Sequence, residues 1–187
     1  MEPSGMERKT GSFQVRRAVF EDAALLAALG RQTFAAAFGA DNNPEDLARH
    51  LAQTFSKEQQ EREFAQPENI YLIAESEGNP AGYARLHPGP APDSIPGSSP
   101  VELVRFYLLP AYIGQGFGSR LMRVCLDLAW GGGHDVMWLS TWKKNARGLD
   151  FYKKWGFQIV GEQIFMVGKD PQEDWLLALR RGDQSAS

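Results

Sequence analysis

The stretch Val101–Ala129, VELVRFYLLPAYIGQGFGSRLMRVCLDLA, predicts a strand, a glycine turn and a helix in succession. The residues before Pro110 are rich in β-branched, aromatic and aliphatic side chains, as is typical of strands. Glycine occupies every second position from 114 to 118, and the apolar residues after Ser119 recur at helical spacing. The start of a helix leaves backbone N–H groups unpaired and carries a partial positive charge. The turn therefore predicts a phosphate-binding site.

Two common phosphate motifs do not fit this turn. The dinucleotide fingerprint G-x-G-x-x-G, counted from Gly116, would need its third glycine at Leu121. The P-loop ends in Gly-Lys-Ser/Thr, whereas Gly118 is followed by Ser119. What remains is the pattern x-x-x-G-x-G after a strand.

Length and charge indicate one domain without a polyanionic partner. The 187 residues fit a single domain, which we place at 13–181, with a disordered leader at 1–12 and a disordered tail at 182–187. The net charge of −3 gives no general attraction to nucleic acid or to an anionic membrane. No purely apolar run approaches the ~18 residues of a membrane span. We therefore expect neither nucleic acid nor membrane as a partner.

Cysteine and histidine usage narrows the chemistry. Cys125 is the single cysteine, which excludes an internal disulfide and fits a reducing, cytoplasmic location. It falls on the apolar stripe of the predicted helix, which favours a core residue over an acyl-carrying thiol. The histidines, at positions 50, 87 and 134, lack metal-ligand spacing, so we expect no metal site.

The rest of the chain predicts an α/β domain with helices packed on one mixed sheet. Asp22, Pro44 and Ser56 each stand where a helix begins, and Gly39 closes the first of these helices. Residues 88–100, PGPAPDSIPGSSP, predict a long surface loop. The other predicted strands are 13–18, 69–75, 81–87, 136–142, 157–165 and 174–179.

A second motif follows the strand at 136–142, where residues 145–157 read NARGLDFYKKWGF. This run resembles the signature N-x-x-A-x-x-F-Y-x-x-x-G-F of the GNAT N-acetyltransferases, with Gly148 at the usual alanine. The turn Ile113–Gly118 resembles the acetyl-CoA motif of the same family, Q/R-x-x-G-x-G/A, with Ile113 in place of Gln or Arg. The order of elements is also similar to the GNAT fold.

The resemblance implies a single mixed sheet flanked by helices and splayed at its central strands, where acetyl-CoA enters as co-substrate. It implies direct attack by an acceptor amine in a ternary complex. Main-chain N–H groups of the turn would bind the pyrophosphate, Asn145 would contact the pantetheine arm, and Tyr152 would protonate the leaving thiolate. The residues that it assigns to the cofactor are Phe106, Tyr107, Leu108, Ile113, Gly114, Gln115, Gly116, Phe117, Gly118, Ser119, Asn145 and Tyr152.

Glu102 is the predicted general base. Carboxylates are depleted in strand interiors, so this one calls for a reason. Alternation along the strand predicts that Glu102 shares a face with Val104 and Phe106. The resemblance places Glu102 where a histone-acetylating branch of the family carries its base. An alkyl amine, with a pKa near ~10.4, needs such a proton acceptor near neutral pH. A salt bridge, to Arg105 or to another buried partner, is the structural alternative.

Structural explanations stay open for the second motif as well. Asn145 fits a helix cap, and Phe151–Tyr152 fits aromatic core packing.

The acceptor is predicted from a narrower resemblance. Residues 33–56, 101–118 and 138–157 together resemble the bacterial polyamine acetyltransferases of the PaiA type. This implies a small-molecule amine such as spermidine or spermine. Acids near the acceptor mouth would suit a polycation, and the candidates are Asp41, Glu45 and Asp46, which also fit a helix N-terminus. Acetylation of protein N-termini or lysines, a non-catalytic acetyl-CoA-binding regulator and a homodimeric assembly stay open.

Overall fold

The computed structural model describes residues 12–183. The predicted leader and tail lie mainly outside this range. The strands are β1 Phe13–Arg17, β2 Ile70–Ser76, β3 Asn79–Pro88, β4 Pro100–Leu108, β5 Val136–Trp142, β6 Gln158–Val167 and β7 Asp170–Arg180. The helices are α1 Ala23–Phe38, α2 Pro44–Thr54, α3 Lys57–Phe64, α4 Phe117–Gly131 and α5 Ala146–Lys154. All seven strands form one sheet in the order β1-β2-β3-β4-β5-β7-β6.

The sheet splits between β4 and β5. These two strands are parallel and pair only over Pro100–Glu102 and Val136–Trp138, whereas all other neighbours are antiparallel. Beyond Glu102 the strands diverge, so the backbone groups on their facing edges lose their ladder partners. The predicted fold, a mixed sheet flanked by helices and splayed at its central strands, is confirmed.

Helix α1 covers one face of the sheet. Leu26 and Leu29 are buried against Tyr71 of β2 and Tyr83 of β3. The segment Phe20–Asp41, which contains α1, spans 22 residues with a mean hydropathy of 1.2, so by length and composition it is able to cross a membrane. Packing against the sheet accounts for this apolar character.

Helices α4 and α5 cover the opposite face. Leu121, Met122 and Cys125 of α4 are fully buried, in one cluster with Leu149 and Tyr152 of α5. Burial raises the pKa of the Cys125 thiol above its ordinary value. Cys125 is therefore the core residue that the apolar stripe predicted.

An irregularity in β4 changes which side chains face α4. Adjacent residues of β3 pair with Arg105 and Leu103, so Val104 has no partner. Leu103 and Phe106 consequently pack into the same core although they are three residues apart. The prediction that Glu102 shares a face with Phe106 is wrong, because strict alternation does not survive a bulge.

The last hairpin is longer than predicted. The expected strands ended at 165 and began again at 174, but β6 and β7 pair from Val167 and Asp170 onward. Pro171 is tolerated because β5 pairs with β7 only as far as Asp174, which leaves that edge of β7 free. Val167, within the added length, lies at the open end of the split, together with Phe165 and Asp174 at the ends of the predicted strands.

Candidate active site

A cavity of ≈ 520 Å³ fills the gap between β4 and β5. Phe151 from α5 and Phe34 from α1 both line it, so it reaches both faces of the sheet. Gly114 and Gly116 of the glycine turn form one end, and Asp174 lies among aromatic side chains at the other. The split thus joins two chemically different compartments.

The glycine turn presents unpaired amides at the start of α4. Gly116 is the N-cap residue, has a φ of 83° and makes no side-chain capping hydrogen bond. The Arg120 amide donates to the Gly116 carbonyl at 3.2 Å, so the amides of Phe117, Gly118 and Ser119 precede the first helical hydrogen bond. Together with the helix dipole, these amides form an anion-binding site.

Space above the turn is open for a ligand. A Cβ atom added at Gly114 or Gly116 would meet no other atom within 4 Å. Both residues have a positive φ, of 80° and 83°, which glycine adopts most readily. The sequence thus places glycine where the backbone conformation requires it and where no side chain fills the cradle.

Most of the residues predicted to contact the cofactor line this cavity. They are Phe106, Tyr107, Leu108, Ile113, Gly114, Gly116, Gly118, Ser119, Asn145 and Tyr152. Two others do not line it. Gln115 donates to the Ala111 carbonyl on the outside of the turn. The ring of Phe117 packs on Phe13 and Tyr112, at centroid distances of 4.9 and 5.4 Å. The side chains of Gln115 and Phe117 thus support the turn from outside.

Asn145 is a helix cap that also lines the cavity. Its Oδ1 accepts from the Gly148 amide at 3.1 Å, and its Nδ2 donates to the Thr141 hydroxyl at 3.2 Å. A Cβ at position 148 would lie 2.4 Å from Asn145 Nδ2. Glycine at this position therefore lets the Asn145 amide fold over the first turn of α5.

Tyr152 enters the cavity from α5 on the side of the glycine turn. The side chain is 9% exposed and packs against Phe106 and Phe157, with ring centroids 6.4 and 5.8 Å away. Burial raises the pKa of Tyr152, so its hydroxyl remains protonated across the physiological range. Tyr152 is thus a core aromatic residue that also lines the cavity.

Glu102 does not line the cavity, although Leu103 and Val104 do. It occupies the last paired position before β4 and β5 diverge, opposite Trp138. Burial raises the pKa of Glu102, and the charge of Arg85 opposes that rise. The predicted alternative partner, Arg105, instead pairs with Glu63 on α3 at 2.7 Å. The structure therefore does not bring Glu102 together with Tyr152.

Asp174 is a cavity residue that the sequence analysis missed. It lies on β7 opposite Trp142 of β5 and is only 5% exposed. Burial raises its pKa to about 6, while a hydrogen bond from Ser140 acts in the opposite direction. Carboxylates are depleted in strands, and Asp174 is the first residue of the predicted strand 174–179. This signal, which drew attention to Glu102, is present at Asp174 as well.

Aromatic rings surround Asp174 at the far end of the cavity. This part of the lining comprises Phe34 and Phe38 of α1, Tyr107 of β4, Trp142 of β5 and Phe165 of β6. Burial is the largest cause of the rise of the Tyr107 pKa to about 12, and the negative charge of Asp174 adds to it. The compartment is thus largely apolar and holds one ionisable carboxylate.

Comparison with known proteins decides the family. Residues 35–157 match the model of the acetyltransferase (GNAT) family. The chain belongs to the GNAT family. It is 31% identical over 150 residues to an uncharacterized N-acetyltransferase from Lactobacillus delbrueckii subsp. lactis, covering 80% of this chain and 87% of that protein. The predicted family is confirmed, and the chain is an acyltransferase of the N-acetyltransferase class.

Two further acetyltransferases are similar to this chain. The N-alpha-acetyltransferase RimI of Mycobacterium tuberculosis is 39% identical over 103 residues, which cover 54% of this chain and 59% of that protein. The PaiA N-acetyltransferase of Thermoplasma acidophilum, solved in complex with coenzyme A, has the same fold with a TM-score of 0.73. That similarity covers 91% of this chain and 99% of PaiA, at 20% sequence identity.

Proposed function

We propose that this GNAT protein transfers the acetyl group of acetyl-CoA to a primary amine of a small polyamine such as spermidine. The observation that carries the proposal is a single cavity with an amide-rich anion site at one end and a buried carboxylate at the other. The anion site suits the pyrophosphate of the acyl donor, and the carboxylate suits a cationic acceptor. A direct reaction within a ternary complex requires that the ends meet.

The end of the cavity at the glycine turn would bind acetyl-CoA and supply a proton donor. The amides of residues 117–119 would hold the pyrophosphate, and the open space above Gly114 and Gly116 admits it. Beyond Glu102 the unpaired edge of β4 offers backbone groups to the pantetheine arm and to the thioester oxygen. Acetyl-CoA supplies the activated acyl group. Tyr152 would return a proton to the departing sulfur.

A polyamine acceptor is supported by a second, smaller pocket. This pocket, of ≈ 270 Å³, shares Trp142 and Gln172 with the main cavity. Asp41, Asp170 and Glu173 line it together with Lys143 and Lys144, so the pocket carries one more negative than positive charge. Lys143 is already paired with Glu162 and Glu173, so Asp41 and Asp170 are the acids that we assign to the polycation. A linear polycation with one amine at Asp174 would place another near these carboxylates.

Only one of the three predicted mouth acids lies in this pocket. Asp41 lines it, but Glu45 and Asp46 do not. Asp46 accepts from the Lys169 amide at 3.0 Å and pairs with Arg49 at 3.1 Å, so it joins α2 to the last hairpin. The proposal therefore uses Asp41 and leaves Asp46 a structural role.

A protein N-terminus is the second candidate acceptor. The similarity to an N-alpha-acetyltransferase supports it. Both candidates present a primary amine, but a peptide continues as an extended chain, whereas spermidine carries further ammonium groups. The residues around Asp41 and Asp170 should matter for the polyamine and not for a neutral peptide.

The experiment is an acceptor panel with acetyl-CoA, following release of the free thiol. The panel contains spermidine, spermine, 1,4-diaminobutane, n-butylamine and short peptides with free N-termini. We expect spermidine or spermine to have the highest kcat/KM, and Asp41→Asn to lower it for these two amines more than for n-butylamine. Preference for a peptide would replace the polyamine by the second candidate. Acetyl-CoA binding without transfer to any acceptor would indicate the non-catalytic regulator.

Assembly and location complete the proposal. We place the activity in the cytoplasm, in keeping with the single buried cysteine. The proposal does not need a homodimer, because every residue used above comes from one chain.

A further inference from the structure

Asp174 is a buried carboxylate that no cation neutralises within 4 Å among residues 12–183. Most buried acids in folded proteins are paired with a base or fully hydrogen bonded. The Ser140 hydroxyl on the neighbouring strand donates a hydrogen bond to it. An unpaired carboxylate inside a cavity is therefore expected to have a cationic ligand as its partner.

The ionisable groups that line the cavity with Asp174 come from two other elements. Tyr107 faces it from β4, and Tyr152 and Arg147 line the cavity from α5. Tyr107 and Tyr152 stay protonated because burial raises the pKa of both. The remaining neighbours from α1 and β6, Phe34 and Phe165, carry no charge. Asp174 is thus the anionic group of this cavity.

We infer that Asp174 binds the acceptor ammonium and takes its proton, acting as the general base of acetyl transfer. The inference rests on the proposed function, since it assigns a residue to that reaction. Asp174 lines the same cavity as Tyr152, although it lies 22 residues further along the chain. The two residues lie at opposite ends of the site. Two proton-transfer groups, one anionic and one neutral, then serve the two halves of the reaction.

The proton balance of the reaction is complete with these two residues. The carboxylate of Asp174 removes one proton from the ammonium and releases it to solvent. The amine lone pair forms the C–N bond to the acetyl carbon as the C–S bond breaks, and the sulfur leaves with the electron pair. Tyr152 donates its proton to that sulfur. The second proton lost by the nitrogen returns to Tyr152 through solvent, so the products are the amide, the free thiol and one proton.

Glu102, the base predicted from the sequence, competes with Asp174 for this role. Glu102 lies outside the cavity lining, with Arg85 as the charge that acts on it. Asp174 lines the cavity and has no ion-pair partner there among the described residues. A direct comparison of the two variants, Asp174→Asn and Glu102→Gln, therefore separates the assignments.

The first experiment measures kcat/KM for wild type, Asp174→Asn, Glu102→Gln and the control Asp127→Asn across pH with the best amine of the panel. Asp127 lies exposed on α4 and outside the cavity. Its replacement therefore makes the same change in charge as Asp174→Asn without altering the site. We expect the wild-type value to fall as pH drops below about 6, since the pKa of Asp174 is about 6. We expect Asp174→Asn to lose ~10²-fold or more near neutral pH, and Glu102→Gln much less.

The shape of the pH profile distinguishes a base from a structural residue. Without the base, the reaction must wait for the neutral amine, so the inflection of Asp174→Asn should move toward the amine's own pKa of ~10.4. A merely structural residue would lower activity without moving the inflection. An unchanged profile in Asp174→Asn, or a moved inflection in Glu102→Gln instead, would overturn the inference while leaving the proposed function in place.

The second experiment does not depend on turnover. Binding of n-butylamine to the CoA-saturated protein is measured by calorimetry at about pH 8 and at about pH 5, below the raised pKa of Asp174. We expect wild-type binding to weaken at the lower pH, because Asp174 then becomes neutral, and we expect Asp174→Asn to bind weakly at both pH values. If no amine in the panel is acetylated but this dependence holds, the proposed reaction fails and Asp174 remains the amine site. Equal binding in wild type and Asp174→Asn at about pH 8 would reject that role.

Discussion

Arg105 of β4 and Glu63 of α3 form a buried ion pair, with Nη1 2.7 Å from Oε2 and Nη2 2.9 Å from Oε1. Both side chains are under 10% exposed. Arg105 projects away from the core that receives Phe106, so the pair holds the bulged strand from behind. It therefore helps to fix the edge of β4 that faces the cavity.

The first prediction concerns the stability that this pair confers. Removing one partner leaves the other charge buried, so Glu63→Gln should lower the free energy of unfolding by about 3 kcal/mol or more. The control is Glu61→Gln on the same helix, whose pair with Lys57 at 3.3 Å is exposed and should contribute less than about 1 kcal/mol. Urea unfolding of both variants measures the difference. Equal losses would mean that the buried pair is no stronger than a surface pair.

The same pair predicts an acid limit to stability. Burial opposes ionisation of Glu63, but the hydrogen bond and charge of Arg105 outweigh it, and the pKa of Glu63 lies below its ordinary value. A lowered carboxyl pKa contributes stability above the unfolded-state pKa, which is lost as pH falls through the folded-state pKa. Wild type should therefore lose more stability than Glu63→Gln on acidification below about pH 4. Parallel curves for the two proteins would contradict this.

The second prediction concerns Tyr152. Tyr152→Phe should keep CoA binding and lower kcat by ~10²-fold or more, because the leaving sulfur loses its proton donor. Tyr83→Phe is the matched control, since the Tyr83 hydroxyl is buried without a hydrogen-bond partner and lies outside the cavity. Removing that hydroxyl should leave kcat unchanged and raise stability by about 1 kcal/mol. Unchanged kcat in Tyr152→Phe, with chemistry rate-limiting, would leave Tyr152 a packing residue.

The third prediction links Asp174 to stability. Its pKa is raised from 3.8 to about 6, so the folded state favours the protonated form. A raised carboxyl pKa contributes stability below the unfolded-state pKa, which is lost as pH rises through about 6. Asp174→Asn should therefore be more stable than wild type at about pH 8, by up to about 3 kcal/mol, and nearly equal to it at about pH 4.

Urea unfolding at both pH values checks this prediction. An ion-paired structural aspartate would behave in the opposite way, since its removal destabilises the fold at high pH. Lower stability of Asp174→Asn at about pH 8 would therefore show that Asp174 is paired.

Local sequence signals and the family motif predicted the residues at one end of the cavity, around the glycine turn and α5. Glycine at 114 and 116 is recognisable in the sequence because the positive φ at both positions restricts the residue type. Asn145 and Tyr152 were predicted from the resemblance to the family motif. Asn145 is the N-cap of α5 and Tyr152 lies within α5, so their positions depend on one element alone. Such features need no knowledge of distant contacts.

The acceptor half depends on features that alternation and turn signals do not carry. The bulge at Val104 arises from pairing with β3, and it changes the side on which Glu102 lies relative to Phe106. Asp174 reaches the cavity because β7 sits between β5 and β6, an order that does not follow the chain. Both the register of β4 and the order of the last strands depend on pairing between distant parts of the chain.

The placement of acetyl-CoA at the glycine turn is tested most directly by comparing the CoA affinities of Gly116→Asp and Gly133→Asp. The two glycines have φ values of 83° and 84°, and at either one an added Cβ would meet nothing within 4 Å, so both variants share the same backbone strain and charge. Of these two glycines, only Gly116 lines the cavity. By calorimetry on the folded proteins, we expect Gly116→Asp to bind CoA about 10-fold or more weakly, with Gly133→Asp close to wild type. Equal affinity in all three proteins would contradict the placement of acetyl-CoA in the split between β4 and β5.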